Sequence, residues 1–570
     1  MKKKSGLLLL SLILVLSAFL AACSDKTSSD GKDSGDKKAV EGGTVTFGYT
    51  QPFKGVLSYA YYEGEDDANA LQFMHEGLLK TNDQLVSEPN LATYEFSDDN
   101  TKLTFKIKQG IKWHDGVELK AEDMEYAWYL IADPAYNGPR FSNVAMIKGA
   151  QEYHDKKADK IEGIKVVDDY TIEVTLTEPQ VNVLENIWTY PEPKHYYGDI
   201  AADKISEADQ VRKTPIGVGP FKVKKIVPGE SIEFERFDDY WKGKPALDGI
   251  NYKIIDGSLA SGLIQNGEVD VIEAPKDQWG TIKELDNINP KTVDAMSYSY
   301  IGFKFGHYDK KAGKVVMDNP KYQNKNLRQA MVYAIDRQSF IDNFANGLGK
   351  PLNTPYPTAS WAKIPDDQIN NYKFDQAKAK SLLDEAGYKD TNGDGFREDP
   401  DGKPFTIKFD AMSGAETSEA RAQFILQSWE DVGLKAELNG GSLKEFNLFY
   451  DTVEADKAEV FMGAWGLAND PDPSGLWLST DVWNYQRWYS EKSDELIKKG
   501  IQYPKDSSQN VQDYRKEIYY EWQKLVNEEL PTIFFEQRED AWAINKRVDG
   551  VKIDPFGVTP SEIYKWHIVK

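Results

Sequence analysis

Apolar and polar positions divide the chain into contrasting stretches. Leu7 to Leu20 is an almost unbroken apolar run, too short to span comfortably as a permanent membrane helix, and no later segment approaches the required length. Ser24 to Lys38 is wholly polar, so it has nothing to bury and is expected to act as a flexible leash. Periodic patterns begin after it. Thr44–Tyr49 has strand composition, and Leu103–Ile107 and Thr171–Leu176 alternate as half-buried strands. The Asp-Gly pair of Trp113-His114-Asp115-Gly116 marks a tight turn. Helical spacing puts Leu327, Ala330, Met331, Ala334 and Ile335 on one face, and Ile425, Trp429 and Val432 on another. A helix over 377–386 should stop at Gly387. The helix carrying Ile425 should start after Ser413, capped by a Ser413/Glu416 box, and end at Gly433. Leu434, Ala436 and Leu438 then alternate as a strand. Strands and helices mixed without a repeated period predict an α/β fold.

The amino terminus has its own logic. Met1-Lys2-Lys3-Lys4 precedes the apolar run, and Leu20-Ala21-Ala22-Cys23 closes it, which is the layout of an export signal. Cys23 is the only cysteine of 570 residues, and the segment resembles the lipobox of bacterial lipoproteins. That resemblance implies a signal peptide over 1–22, lipidation of Cys23 and a tether over 23–40. A single, lipidated cysteine leaves no intrachain disulfide and no cysteine metal cluster, so the fold must be held by core burial.

Charge narrows the partners. Removing residues 1–22 takes away three lysines and no acids, moving the net charge from −23 to −26. Such acidity excludes a nucleic-acid backbone binder, which needs clustered Lys and Arg. Core packing absorbs most of the 31 Tyr, 25 Phe and 14 Trp, but so many Trp and Tyr also suit a large cavity walled by amphipathic rings.

The run Thr214-Pro215-Ile216-Gly217-Val218-Gly219-Pro220-Phe221 resembles a signature of the large solute-binding proteins of peptide and nickel ABC importers. Arg236 to Pro245 (RFDDYWKGKP), Asn266-Gly267-Glu268-Val269-Asp270, Trp113 to Asp123 and Leu327 to Arg337 match further blocks in the same order. Val218 stands where the family usually has Thr, and Phe237 where it has Asn; neither change removes a ligand group. Read alone, Gly217, Gly219 and Pro220 permit a tight turn, and Tyr240 and Trp241 are bulky core anchors. The resemblance implies an α/β, two-lobed, periplasmic-binding-protein-like fold with a hinge and an extra inserted domain. Mapped onto the turn signals, domain I takes 41–66, 213–297 and 531–570, domain II takes 67–212, and the opposing domain III takes 298–530. The hinge crossings are expected near Ser297 and Leu530-Pro531.

Catalytic constellations are absent from the sequence. Its six histidines are scattered, and His75-Glu76-Gly77-Leu78-Leu79 lacks the second histidine of a zinc-protease motif. No G-x-S-x-G elbow or phosphate loop is present, so neither an enzyme nor a cofactor is expected. The segment Val460 to Gly475 resembles the stretch by which oligopeptide-binding members hold peptide. That resemblance makes Gly463, Ala464, Trp465, Leu467 and Asn469 ligand-binding, and Asp472, with Asp470 second, the acidic anchor for a peptide's ammonium terminus. On its own chemistry, NDPDPSG is equally a proline-fixed turn with Asp capping amides. Asp390, Asn392, Asp394 and Asp401 imitate the start of a calcium loop, although Asp401 is shorter than the usual glutamate and a solvated turn is the favoured reading.

Taken with the resemblance, these features point to a monomeric, lipid-anchored receptor on the extracytoplasmic face of a Gram-positive cell membrane. It would capture oligopeptides and deliver them to the transmembrane subunits of an ABC permease. A same-fold receptor for an oligosaccharide, and a surface sensor of signalling peptides, are the alternatives; an exported hydrolase is disfavoured by the missing motifs.

Overall fold

The structure, a computed structural model, describes residues 39–414 and 417–570. Cys23, the signal segment, most of the tether and Glu416 of the expected capping box lie outside the described residues. One mixed sheet of eleven strands runs through the molecule. Its order is Lys435–Leu438, Thr406–Asp410, Val460–Gly466, Ile288–Phe303, Thr532–Asn545, Val271–Glu273, Thr44–Tyr49, Gly249–Ile254, Ser231–Arg236 and Phe221–Val227, with Gly349–Pro351 on the side. A separate antiparallel sheet of four strands, Ala92–Phe96, Lys102–Ile107, Thr171–Thr175 and Ile164–Asp168, sits in the inserted segment.

Burial divides the chain into two lobes. One large core gathers Val45, Phe47, Leu103, Trp128, Ile250 and Trp566, so the four-stranded sheet shares a continuous interior with the amino-terminal strand. The second gathers Tyr300, Met331, Ile407, Trp429, Phe461 and Trp522. The helix faces read from spacing supply it: Leu327, Ala330, Met331, Ala334 and Ile335 are buried, as are Ile425, Trp429 and Val432. Apolar area removed from water at about 25 cal/mol per Å2 is what holds each lobe.

Two long strands connect the lobes, Ile288–Phe303 and Thr532–Asn545, paired antiparallel. Their register runs unbroken from Ile288↔Asn545 to Asp294↔Glu539 and resumes at Tyr298↔Gln537. Ala295, Met296 and Ser297 are thus set against Arg538 alone, a bulge that bends the pair where it passes between the two cores. Leu530, Ile533, Phe534 and Phe535 belong to the second core. Leu530 is the left-handed cap that ends the helix Val511–Glu529, and Gln537 to Glu539 are the residues that stand opposite the bulge.

Two local expectations are corrected. The helix carrying Ile425 spans Ser418–Glu430, and Ser413 does not cap it: its N–H and hydroxyl both donate to the Lys444 carbonyl, at 2.8 and 3.2 Å. The chain does bend at 218–220, but neither Gly217 nor Gly219 has a positive φ, so what demands glycine there is space. A Cβ at Gly217 would lie 1.9 Å from the Met74 carbonyl oxygen, and one at Gly219 would lie 2.5 Å from the Met74 carbonyl carbon. The glycines let two backbones touch, and Gly219 N–H donates to Met74 O at 2.9 Å.

Candidate functional site

Strand Val460–Gly466 carries most of the residues singled out by sequence. It pairs along its length with Ile288–Phe303, from Phe303↔Val460 to Ser297↔Gly466. On its other side Thr406–Asp410 accompanies it only at Val460 and Phe461. That neighbour then leaves to bond elsewhere: Lys444 N–H donates to Ala411 O at 3.0 Å and Ser413 N–H to Lys444 O at 2.8 Å. Among the described residues no strand pairs with the outer edge beyond Phe461. Leu467 N–H donates to Met296 O at 2.7 Å, so alternation turns the main-chain groups of Gly463 and Trp465 toward the partner strand. Those of Met462, Ala464 and Gly466 point to the free edge, and Ala464 and Gly466 are exposed.

Side chains complete the picture. Trp465 lies between Tyr300 and Tyr485, stacked at 6.4 and 5.5 Å between ring centroids. Gly463 is a glycine because Tyr300 fills its side-chain space: a Cβ would meet the Tyr300 hydroxyl at 3.0 Å, whereas Gly466 faces open space. A cavity of about 330 Å3 borders this strand, walled by Tyr298, Tyr356, Trp465, Asp472 and Trp483. Ala468 joins it to a second cavity of about 550 Å3, which Asn469 also lines together with Tyr59, Tyr62, Trp188 and Tyr190 of the other lobe.

The two aspartates differ sharply. Asp470 is buried and gripped by the fork of Arg515, with Nη1 to Oδ2 and Nη2 to Oδ1 both at 2.8 Å. Its charge is matched within the lobe. Among the described residues the donors to Asp472 are all neutral: Ser474 N–H at 3.0 Å, Ser474 hydroxyl at 2.7 Å, and Asn182 Nδ2 at 3.3 Å from the opposite lobe. Burial first, and the neighbouring Asp470 less strongly, raise its carboxyl above the usual range. Asn182 Nδ2 also reaches Asp470 at 3.4 Å, and Val181 N–H donates to Ile501 O at 3.2 Å, so this loop is where the lobes touch. Nothing in the local sequence marked Val181, Asn182 or Arg515.

The remaining candidates resolve differently. Asp390 accepts Gly393 and Gly395 N–H, Asp394 accepts Phe396 N–H, and Asn392 Nδ2 donates to Glu398 at 2.6 Å. Asp401 stands in a separate turn beside Lys403. No group of three or more metal-binding side chains occurs among the described residues. His75 is buried, and Glu76 accepts from Tyr240, from Trp241 Nε1 at 3.0 Å and from Lys242 Nζ at 3.0 Å. Tyr240 and Trp241 thus anchor the RFDDYWKGKP block to a buried carboxylate.

Two lobes hinged on paired strands, with an aromatic cleft and an unpaired strand edge between them, define a two-lobed solute-binding protein. The chain belongs to the bacterial extracellular solute-binding proteins, family 5, whose middle region it matches over residues 87–486. It is 29% identical to the oligopeptide-binding protein AppA of Bacillus subtilis, with all of both chains covered. It is also 29% identical to an oligopeptide-binding protein OppA of Lactococcus lactis, covering 80% of this chain and 78% of that one. Among solved structures it resembles lactococcal OppA complexed with an endogenous peptide in the closed conformation, with TM-score 0.76 and 26% identity over 91% of this chain and 99% of that one. It resembles Bacillus subtilis AppA in complex with a nonapeptide similarly, with TM-score 0.71 and 25% identity over 94% and 100%.

Proposed function

We propose that this protein is a lipid-anchored receptor of an ABC importer that encloses oligopeptides between its lobes and hands them to the membrane permease, without hydrolysing them. The observation that carries the ligand class is the free edge at Ala464 and Gly466. A peptide laid there as an added strand satisfies main-chain donors and acceptors common to every sequence, while the flanking aromatic cavities accept variable side chains. The likeness to AppA and OppA, both described as oligopeptide-binding, supports the same reading. Asp472 is the aspartate that still lacks a cationic partner, and we assign it the ligand's ammonium terminus. The anchor at Cys23 rests on the sequence of the export segment. Domain I, domain II and domain III, as the resemblance drew them, are retained with the second crossing moved to Gln537–Glu539.

Ala464→Pro tests the strand addition. Its N–H points away from the partner strand, so proline removes no ladder bond inside the sheet, and an edge position tolerates it. An unmade hydrogen bond at a buried ligand costs about 1–3 kcal/mol, so peptide affinity by calorimetry should fall about 5- to 150-fold with the fold intact. Undiminished peptide affinity would remove the edge from the site. Binding of oligosaccharides and of no peptide pool would replace the ligand class. Cleavage of the pool, traced by mass spectrometry to this chain, would make it an enzyme.

A further inference from the structure

We propose that Arg140, on the wall of the 550 Å3 cavity, receives a carboxylate of the bound ligand; this rests on the peptide reading above. Arg140 precedes the short helical turn Phe141–Asn143, in the lobe opposite the free strand edge. Its guanidinium lies 4.2 Å from the centre of the Tyr62 ring, and Nη2 donates to the Tyr62 carbonyl at 3.1 Å. Its own N–H donates to the Tyr136 hydroxyl at 3.3 Å. The side chain is therefore held in place from one face and one edge. Among the described residues no Asp or Glu pairs with it, Nη1 has no hydrogen-bond partner, and Nε is buried with none.

Other buried arginines of this chain have several donors met by the protein itself. Arg515 forks onto Asp470, Arg487 reaches Asp456, and Arg328 and Arg337 are satisfied by main-chain carbonyls such as Tyr322 O and Phe534 O. A cation taken partly out of water needs its lost hydration replaced, and its planar donors match a carboxylate in two-point contact. The carboxylates already on the cavity wall, Glu65, Glu76, Glu185 and Asp554, do not supply this, since none pairs with Arg140 among the described residues. Glu76 is held by Lys242, Asp554 accepts Phe556 N–H and the Thr559 hydroxyl, and Glu185 accepts Ser87 N–H at 3.3 Å. The acceptor that completes Arg140 then comes from the ligand, and the stack on Tyr62 orders the side chain before the ligand arrives. Tyr59 and Tyr190, stacked at 3.9 Å, and Trp188 give the same cavity apolar walls that strengthen a charge pair within it. A peptide offers this carboxylate either from its C-terminus or from an acidic side chain.

Calorimetry with the full mature chain separates these sources. Three peptides of one length are compared: a neutral sequence with a free C-terminus, the same sequence amidated, and the amidated sequence carrying one glutamate. Wild type should bind at least one of the carboxylate-bearing peptides about tenfold or more tighter than the amidated neutral one. Preference for the first identifies the C-terminus, and preference for the third an acidic side chain. Arg140→Gln should erase that preference while binding the neutral peptide as wild type does. Arg140→Lys, which keeps the charge but loses the fork, should retain part of it, and thermal unfolding of both variants reports whether the Tyr62 contact was merely structural. An equal loss for all three peptides, or a preference that survives Arg140→Gln, overturns the proposal while leaving peptide binding in place. No binding of any peptide by wild type overturns the peptide reading and this assignment with it.

Discussion

Asp470→Asn separates the two aspartates of the NDPDPSG segment. The Asp470 and Arg515 side chains are 5% and 6% exposed and joined by two bonds of 2.8 Å. Asparagine keeps the shape but turns an amide donor toward a guanidinium that has only donors, leaving a buried cation uncompensated. Breaking a buried pair from one side costs about 3–5 kcal/mol. With a urea slope of about 3 kcal/mol/M, the unfolding midpoint should drop by about 1–1.7 M. Arg515 also donates to Gly500 O at 2.9 Å and sits 5.3 Å from the Trp361 ring centre, so the loss is expected in the lobe built on the second core. Pairing Asp470→Asn with Arg515→Met should recover part of it, since the unpaired charge is then gone; the double-mutant cycle gives the coupling. The ligand readout is different in kind. The ratio of affinities for free-amine and N-acetylated peptide should be unchanged in Asp470→Asn and should fall about 30-fold or more in Asp472→Asn, which removes one partner of a desolvated charge pair worth about 2–5 kcal/mol. A fully stable Asp470→Asn protein that no longer distinguishes the two peptides would reverse the assignment. An N-acetylated peptide that binds wild type as tightly as the free amine would show that the terminus is not read by either residue.

Three further outcomes are expected. His114 accepts from Gly217 N–H at its Nδ1 and contacts the Gly219 carbonyl with Nε2, both at 3.1 Å, and burial pushes its pKa down to about 3. Below about pH 6.5 the unfolded chain takes up a proton that the folded one refuses, so stability falls as pH falls, by up to about 1.4 kcal/mol per pH unit; Glu192, pushed up to about 7 by burial, works oppositely, so the effect is read as a shallower acid slope of the urea midpoint in His114→Gln than in wild type. Asn182→Asp sets a third carboxylate against Asp470 and Asp472 across the lobe contact, and small-angle scattering should show a less compact particle with saturating peptide; an unchanged radius means the contact does not govern closure. Cys23→Ser should release unlipidated protein from the cell surface, and membrane fractionation identical to wild type would end the lipoprotein assignment.

What the sequence disclosed, and what it withheld, follow from the range of each interaction. Helix faces such as Leu327, Ala330 and Met331, and the stop at Gly387 with its φ of +86°, are set by neighbours three or four positions away, so periodicity reads them directly. Ser413 had the right side chain for a cap, yet Lys444 claimed it from thirty-one positions away in the chain. Gly217 and Gly219 looked like turn residues; the steric demand comes from Met74, which no local pattern contains.

The candidate site was legible only in part for the same reason. Trp465 and the two aspartates could be found as residues, but their division of labour could not. Asp470 is spoken for by Arg515, forty-five positions on, and Asp472 meets Asn182 from the other lobe. The feature that carries the ligand assignment is harder still, because it is a missing partner. Among the described residues Ala464 and Gly466 have no strand on their outer side because Thr406–Asp410 leaves the sheet after Phe461 to follow Lys444. A strand's own alternation states which residues face each side, never whether a neighbour is there. In an isolated sheet such an edge invites aggregation. Here it lies beside a cavity walled by its own lobe, which Ala468 joins to one lined from both lobes, and on the proposed reading the same exposed groups that would be a liability at the surface pair with a ligand's backbone rather than its sequence.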